Sequence, residues 1–213
     1  KEESPITMGE AVNIILAKMA PFNDDELMLD FSETNMYSGH MAKFVSWHRY
    51  YTRFWKQSML FCDSRWPDFV NPYADDFVGS TGQAEPAYLK AVTGNDFSFE
   101  DGIELGKKIW NLDHAIWTLQ GRHRDMVNFS EFYYTNTFKE AAMNYFGKVD
   151  GTWTYISAEG RTIDRVKFEE FKTAFYELQG WDTASGYPTR PTLESLGMKD
   201  VADELGAKGK LGA

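Results

Sequence analysis

Few side chains in this sequence can carry redox or metal chemistry, and they are scattered. Cys62 is the single cysteine, and the histidines are His40, His48, His114 and His123. A thiolate can ligate a metal, but a lone cysteine is more often a small packed hydrophobe. An iron–sulfur cluster held by thiolates would need the others from elsewhere. The histidines show neither HExxH nor ExxH spacing. His114, next to Asp113 inside an apolar helical pattern, reads as a hydrogen-bonded core residue, and His40 and His48 read as core or surface residues of an aromatic helix. GxGxxG, P-loop and GxSxG patterns are missing, so phosphate cradles and hydrolase elbows are not supported. One run is denser: Arg122, His123, Arg124 and Asp125 follow directly on Gly121. It reads either as a solvated helix end or as two guanidiniums and an imidazole facing a phosphate or carboxylate.

The elements that must position these residues are helical. Thr7 and Glu10 stand in capping-box spacing before "TMGEAVNIILAKM", which Pro21 stops. "NDDELMLD" reads as a short helix or turn, and Ser38 to about Cys62 as one long aromatic helix. Another helix is expected around Glu85 to Val92, ending at Gly94. Ser98 and Asp101 open the helix that leads into the charged run. On it Leu105, Ile109, Leu112, Ile116 and Leu119 form one apolar stripe, with Ile103, Trp110 and Trp117 nearly opposite. A helix apolar on two faces is expected to be sandwiched within a bundle. Gly121 is its natural stop, with the basic residues at the negative end of the dipole. "SEFYYTNTFKEAAMNYF" reads as a helix, and "FGKVDGTWTYI" as a hairpin turning at Asp150-Gly151. "DRVKFEEFKTAFYELQG" reads as a helix closed by Gly180, "RPTLESLGM" and "KDVADEL" as short helical pieces, and "GAKGKLGA" as a loose tail. The fold class expected is mainly α, an orthogonal helical bundle with one small β-hairpin.

Composition bounds the function. With 22 Lys and Arg against 32 Asp and Glu, the net charge of −10 argues against a nucleic-acid partner. The 16 Phe, 11 Tyr and 7 Trp predict a dense core or a large interface. No apolar run approaches the roughly 20 residues of a membrane span. The polar start "KEESPITMGE" carries no signal-peptide pattern, so "NFS" at Asn128 is read as a chance sequon. One cysteine and no signal suggest a cytoplasmic location. The missing initiator Met suggests a piece of a longer polypeptide.

The wording of two stretches adds to this. "AVTGNDFSFEDGIELGKKIWNLDHAIW" resembles the C-terminal helical domain of the tungsten-containing aldehyde ferredoxin oxidoreductase family, where a "VTG-D" turn leads into a helix ending "GERIWNLER". "FYELQGWDTASGYPTRPTLESLGMKDVADEL" is similar to that family's closing segment, and the two matches together with the place of Cys62 span roughly residues 38 to 205. The resemblance implies that residues 1–213 are the C-terminal helical part of a longer tungstopterin oxidoreductase subunit, inactive in isolation. It implies a tungsten bis-pterin of the molybdopterin type and a 4Fe–4S cluster. "QSMLFCD" aligns with the family's "DxxGLC" segment, which contacts the pterin and supplies a cluster thiolate. Cys62 keeps the ligand place. Gln57 stands for Asp, Leu60 for Gly and Phe61 for Leu, with Asp63 following. Gln57 can still offer an amide donor and acceptor, whereas Leu60 puts a close backbone approach in question.

Where the family reads roughly "AFNVREGFTRKDD", Trp117, Leu119 and Gln120 stand for its Asn, Arg and Glu, while Gly121 and Arg124 hold their places. "IWTLQGRHRDM" is instead similar to the active-site subunit of tungsten-dependent, ATP-independent benzoyl-CoA reductases, a branch of strict anaerobes. That implies reduction of an aromatic CoA thioester to a cyclic diene, with an iron–sulfur electron-transfer subunit or ferredoxin as partner. Arg122, His123 and Arg124 would then be substrate or cofactor contacts. Two alternatives stay open: oxidation of aldehydes to acids on the same fold, and a non-enzymatic helical interaction domain.

Overall fold

The computed structural model describes residues 5–62, 66–139 and 144–213. Asp63 and part of "SEFYYTNTFKEAAMNYF" therefore lie outside the described residues. The helices are α1 (Met8–Lys18), α2 (Ala20–Asp24), α3 (Gly39–Tyr51), α4 (Gln57–Met59), α5 (Ala84–Thr93) and α6 (Phe99–Leu119). After them come α7 (Glu131–Thr135), the strands β1 (Asn144–Val149) and β2 (Thr152–Ser157), then α8 (Arg165–Gln179), α9 (Arg190–Ser195) and α10 (Lys199–Ala207). Among the described residues the fold is mainly α with one antiparallel hairpin, as expected.

Local chemistry sets these boundaries. Thr7 and Glu10 form the reciprocal capping box of α1, and Ser98 and Asp101 that of α6. Asp164 caps α8 through the Val166 and Lys167 amides. The hairpin pairs Val149 with Thr152 across Asp150 and Gly151, both at positive φ (48° and 79°), the twist a two-residue turn needs. A π-helical turn at Thr52–Lys56 joins α3 to α4, so the long aromatic helix runs to Met59 with its register shifted.

One face of α1 (Val12, Ile15) meets Phe22, Met28 and Leu29 and the α3 side chains Trp47 and Tyr51, with Trp55 and Phe99 closing this first core. α6 crosses α3 at Gly106, against the Tyr50 backbone, and the π-turn at Gly102, against the Trp55 ring. A second core joins Ala115 of α6 to Leu193, Met198, Ala202 and Leu205 of α9 and α10. A third sets Trp110 against Tyr176 and Trp181 from the end of α8.

Three expectations need correction. Leu112, Ile116 and Leu119 are exposed, because α8 and Trp181 cover the Trp110 side and α9–α10 reach Ala115, leaving the outer stripe of α6 uncovered among the described residues. The helix expected from Ser130 onward stops at Thr135. Tyr145 and Phe146 are strand residues, drawn into pairing with Ile156 and Tyr155. The tail is not loose: Gly212 pairs with Thr189 and donates to the Pro188 carbonyl at 2.8 Å, while Lys210 reaches the Tyr187 hydroxyl at 3.1 Å.

Candidate functional site

The segment that the sequence singled out lies at the end of α4. Leu60 sits in the left-handed region (φ 56°, ψ 36°), and the Phe61 amide reaches back to the Lys56 carbonyl at 3.2 Å. That is the helix-ending hydrogen bond for which glycine is the usual residue. The backbone thus keeps a glycine-type turn although the residue is leucine, and the Leu60 side chain is 89% exposed. Phe61 packs on Trp66 with ring centres 4.5 Å apart. Cys62 follows, exposed, its carbonyl accepting from the Trp66 amide at 2.9 Å.

Gln57, Leu60 and Phe61 line one groove of about 690 Å³ with Arg49, Arg53 and Lys56. The three cations sit four and three residues apart, on one helical face. Arg53 Nε is paired with Asp113 of α6 at 2.8 Å. Sequence reasoning missed this set, although the i, i+4, i+7 spacing of Arg49, Arg53 and Lys56 was there to find it.

The charged run resolves into separate roles. Gly121 (φ 100°) donates to Thr118 O at 3.0 Å and Arg122 N to Trp117 O at 2.9 Å, closing α6. The Arg122 guanidinium lies over the Trp117 ring, 4.8 Å from its centre. His123 is exposed, with Asp125 at 3.6 Å. Arg124 turns inward and donates to the carbonyls of Thr183 (2.7 Å) and Glu169 (2.8 Å) and to the Glu169 carboxylate (3.1 Å). The structure therefore brings Arg122 towards the groove residues, leaves His123 at the surface and uses Arg124 as a tie between the loop and α8.

Beneath Arg122 opens a pocket of about 350 Å³, lined by Trp110, His114, Phe175, Tyr176 and Trp181, with Arg49 and Arg122 among its lining residues. Its walls are fixed by buried hydrogen bonds. Tyr50 Oη and Trp110 Nε1 both donate to Gln179 Oε1 at 3.1 Å, Gln179 Nε2 donates to Ser46 Oγ at 2.7 Å, and Trp181 Nε1 donates to Asn111 Oδ1 at 2.8 Å. His114 stacks on Trp181 at 3.6 Å, and its Nε2 donates to the Gly186 carbonyl at 2.7 Å. Burial holds the imidazole neutral, lowering its pKa to about 4, with nearby Arg122 acting in the same direction. His114 is thus the packed, hydrogen-bonded residue that its sequence position suggested. His40 pairs with Asp25 at 2.8 Å, away from the pocket.

Residues 13–198 match the family model described as aldehyde ferredoxin oxidoreductase, domains 2 & 3. The chain belongs to this family. It is an oxidoreductase family whose members generally use a tungsten or molybdenum pterin with an iron–sulfur cluster. The groove suits such a group in part. Its cations fit an anionic cofactor, the Gln57 amide can meet a heterocycle, and the turn at Leu60 is followed by the exposed Cys62. Among the described residues no three of His, Cys, Asp or Glu gather as metal ligands, so Cys62 could hold iron only together with ligands from elsewhere. No helix among the described residues is long and apolar enough to cross a membrane.

Proposed function

We propose that this chain is the C-terminal helical part of a longer tungsten bis-pterin, 4Fe–4S oxidoreductase subunit that reduces benzoyl-CoA to a cyclic dienoyl-CoA. The observation that carries the cofactor reading is the turn at Leu60. It keeps a glycine-type backbone beside a groove lined by Arg49, Arg53, Lys56 and Gln57, and exposed Cys62 follows groove-lining Phe61 in the chain. In this reading Cys62 supplies one thiolate of the cluster and Gln57 hydrogen-bonds the pterin. Arg53 and Lys56 add positive charge beside it, and Leu60 and Phe61 frame the contact. When bound, the metallopterin supplies the low-potential redox step. The protein's part is to orient the groups, keep water out and tune the cluster through thiolate ligation and limited solvent access.

The substrate assignment rests on the "IWTLQGRHRDM" run, whose Arg122 stands at the mouth of an aromatic pocket. Adding two electrons and two protons to the ring converts the thioester to the diene. Electrons arrive from an iron–sulfur subunit or ferredoxin in an anaerobic cytoplasm. His123 is a secondary contact in this scheme, whereas Arg124, tied to Thr183 and Glu169, only holds the loop. A second reading, oxidation of aldehydes to carboxylic acids, rests on the family's description alone.

The test is metal analysis of the intact protein purified without oxygen, followed by assays with benzoyl-CoA and with aldehydes. Tungsten with several irons per subunit, cluster signals lost in Cys62→Ser, and benzoyl-CoA turnover are expected. Molybdenum in place of tungsten would overturn the metal assignment, and aldehyde turnover alone would overturn the substrate. Folded protein with neither metal would leave only a helical interaction domain.

A further inference from the structure

We propose that Arg49 and Arg122, with the tryptophan-lined pocket behind them, bind an organic anion that carries a planar aromatic group. This inference rests on the proposed substrate reading, which already sets Arg122 at the mouth of this pocket, and deepens it by assigning the ring and its charge to residues of this chain.

The first observation is the charge. Three guanidiniums gather over two indoles: Arg49 lies 5.5 Å and Arg53 5.3 Å from the centre of Trp110, while Arg53 lies 5.7 Å and Arg122 4.8 Å from the centre of Trp117. Arg53 has Asp113 as its counter-ion. Arg49 and Arg122 make no ion pair among the described residues, and their guanidiniums lie over the two indole faces. Burial, together with repulsion from Arg53 and Arg122, holds the Arg49 guanidinium below its ordinary value. In a chain of net charge −10, a cluster of cations left short of carboxylates is costly until an anion joins it.

The second observation is the cavity. About 350 Å³ is within the range for small-molecule sites, and none of its described lining residues is acidic. Its polar groups are largely committed elsewhere: His114 Nε2 to Gly186, and Lys172 Nζ to the Val127 carbonyl at 2.9 Å and the Glu169 carboxylate at 2.7 Å. The indole and phenyl walls therefore favour a flat ring, and the guanidiniums with spare donors stand beside it. A planar donor fork suits a carboxylate or a phosphate, and stacked on an aromatic face it is already oriented.

The ligand chemistry is thus an aryl group joined to a carboxylate or phosphate. Calorimetric titration of the intact protein with benzoate, phenyl phosphate, cyclohexanecarboxylate and inorganic phosphate separates the contributions. Benzoate or phenyl phosphate should bind at least about tenfold more tightly than cyclohexanecarboxylate or inorganic phosphate, and whichever aryl anion binds better identifies the charged group. Arg122→Gln and Arg49→Gln should each weaken that binding by about tenfold or more. Neither side chain is part of the buried core, and Arg49→Gln provides the reading should Arg122→Gln misfold. Lys90→Gln, a remote exposed change, should leave binding as it was. Equal affinity for all four probes, or unchanged affinity in both folded arginine variants, would overturn the site. Metal content measured on the same variants keeps the outcome separate from the cofactor assignment.

Discussion

Gly106 of α6 lies against the carbonyl of Tyr50 in α3, so closely that a Cβ added to it would stand 1.9 Å from that oxygen. One turn earlier, a Cβ on Gly102 would stand 2.1 Å from the Trp55 ring. The two helices can cross there only without side chains, and the crossing holds Arg53 beside Asp113. Gly106→Ala is therefore expected to cost about 3 kcal/mol, lowering the melting temperature by roughly 10 °C. Gly9→Ala, whose added methyl meets nothing within 4 Å, should stabilise by about 0.5 kcal/mol. Thermal melts of both variants decide it, and equal small effects would mean that the helices readily move apart.

Leu60 adopts a left-handed conformation that leucine disfavours by roughly 1–2 kcal/mol, while its side chain is almost fully exposed and contributes little burial. Leu60→Gly relieves that strain at the cost of some unfolded-state entropy, so a net gain of about 0.5–1 kcal/mol is expected. Urea unfolding measures it. A loss of stability would show that the leucine makes contacts that offset its backbone.

The helices were legible because local chemistry announces them. Thr7 with Glu10, Ser98 with Asp101 and the Asp150-Gly151 turn each act over a few residues. What needed the fold was anything decided by partners distant in sequence. Tyr145 and Phe146 suit either helix or strand, and pairing with Ile156 and Tyr155 decides between them. The stripe of α6 predicted burial on both sides, but which side is covered depends on where α8 and Trp181 return. The same applies at the candidate site. Cys62 and the run after Gly121 stood out as words in the sequence. Arg49 and Arg53 looked like ordinary helix-surface charges until Trp110 and Trp117 were placed beneath them.

Arg124 and His123 are neighbours with opposite expected behaviour. Arg124 bridges the loop after α6 to α8 through three acceptors on Thr183 and Glu169. Arg124→Gln should cost about 1–2 kcal/mol, because the half-buried Thr183 and Glu169 carbonyls and the Glu169 carboxylate lose a charged donor. His123→Ala, at an exposed ring beside exposed Asp125, should change stability by less than about 0.5 kcal/mol. Denaturant titrations of the two variants test this directly. Comparable losses would place His123 in contacts as firm as those of Arg124.

His114 makes stability depend on pH with a definite sign. Its ordinary pKa of 6.5 falls to about 4 in the folded chain, chiefly through burial between Trp181 and the Gly186 carbonyl. Above pH 6.5 both states hold it neutral, and it adds no slope. Between 6.5 and about 4 the unfolded chain takes up a proton that the folded chain refuses, so stability falls as pH falls through this window. The full loss is about 3 kcal/mol, complete once the pH is below the folded value. Carboxylates also titrate towards the lower end of this window, so the informative quantity is the difference from His114→Gln. At pH 7.5 the variant should be the less stable, having lost the stacked ring. As pH drops to 4, the gap should close by most of those 3 kcal/mol, since glutamine takes up no proton in either state. A gap that stays constant across urea melts from pH 7.5 to 4 would mean that the buried imidazole titrates normally, and that the wall of the aromatic pocket is open to water.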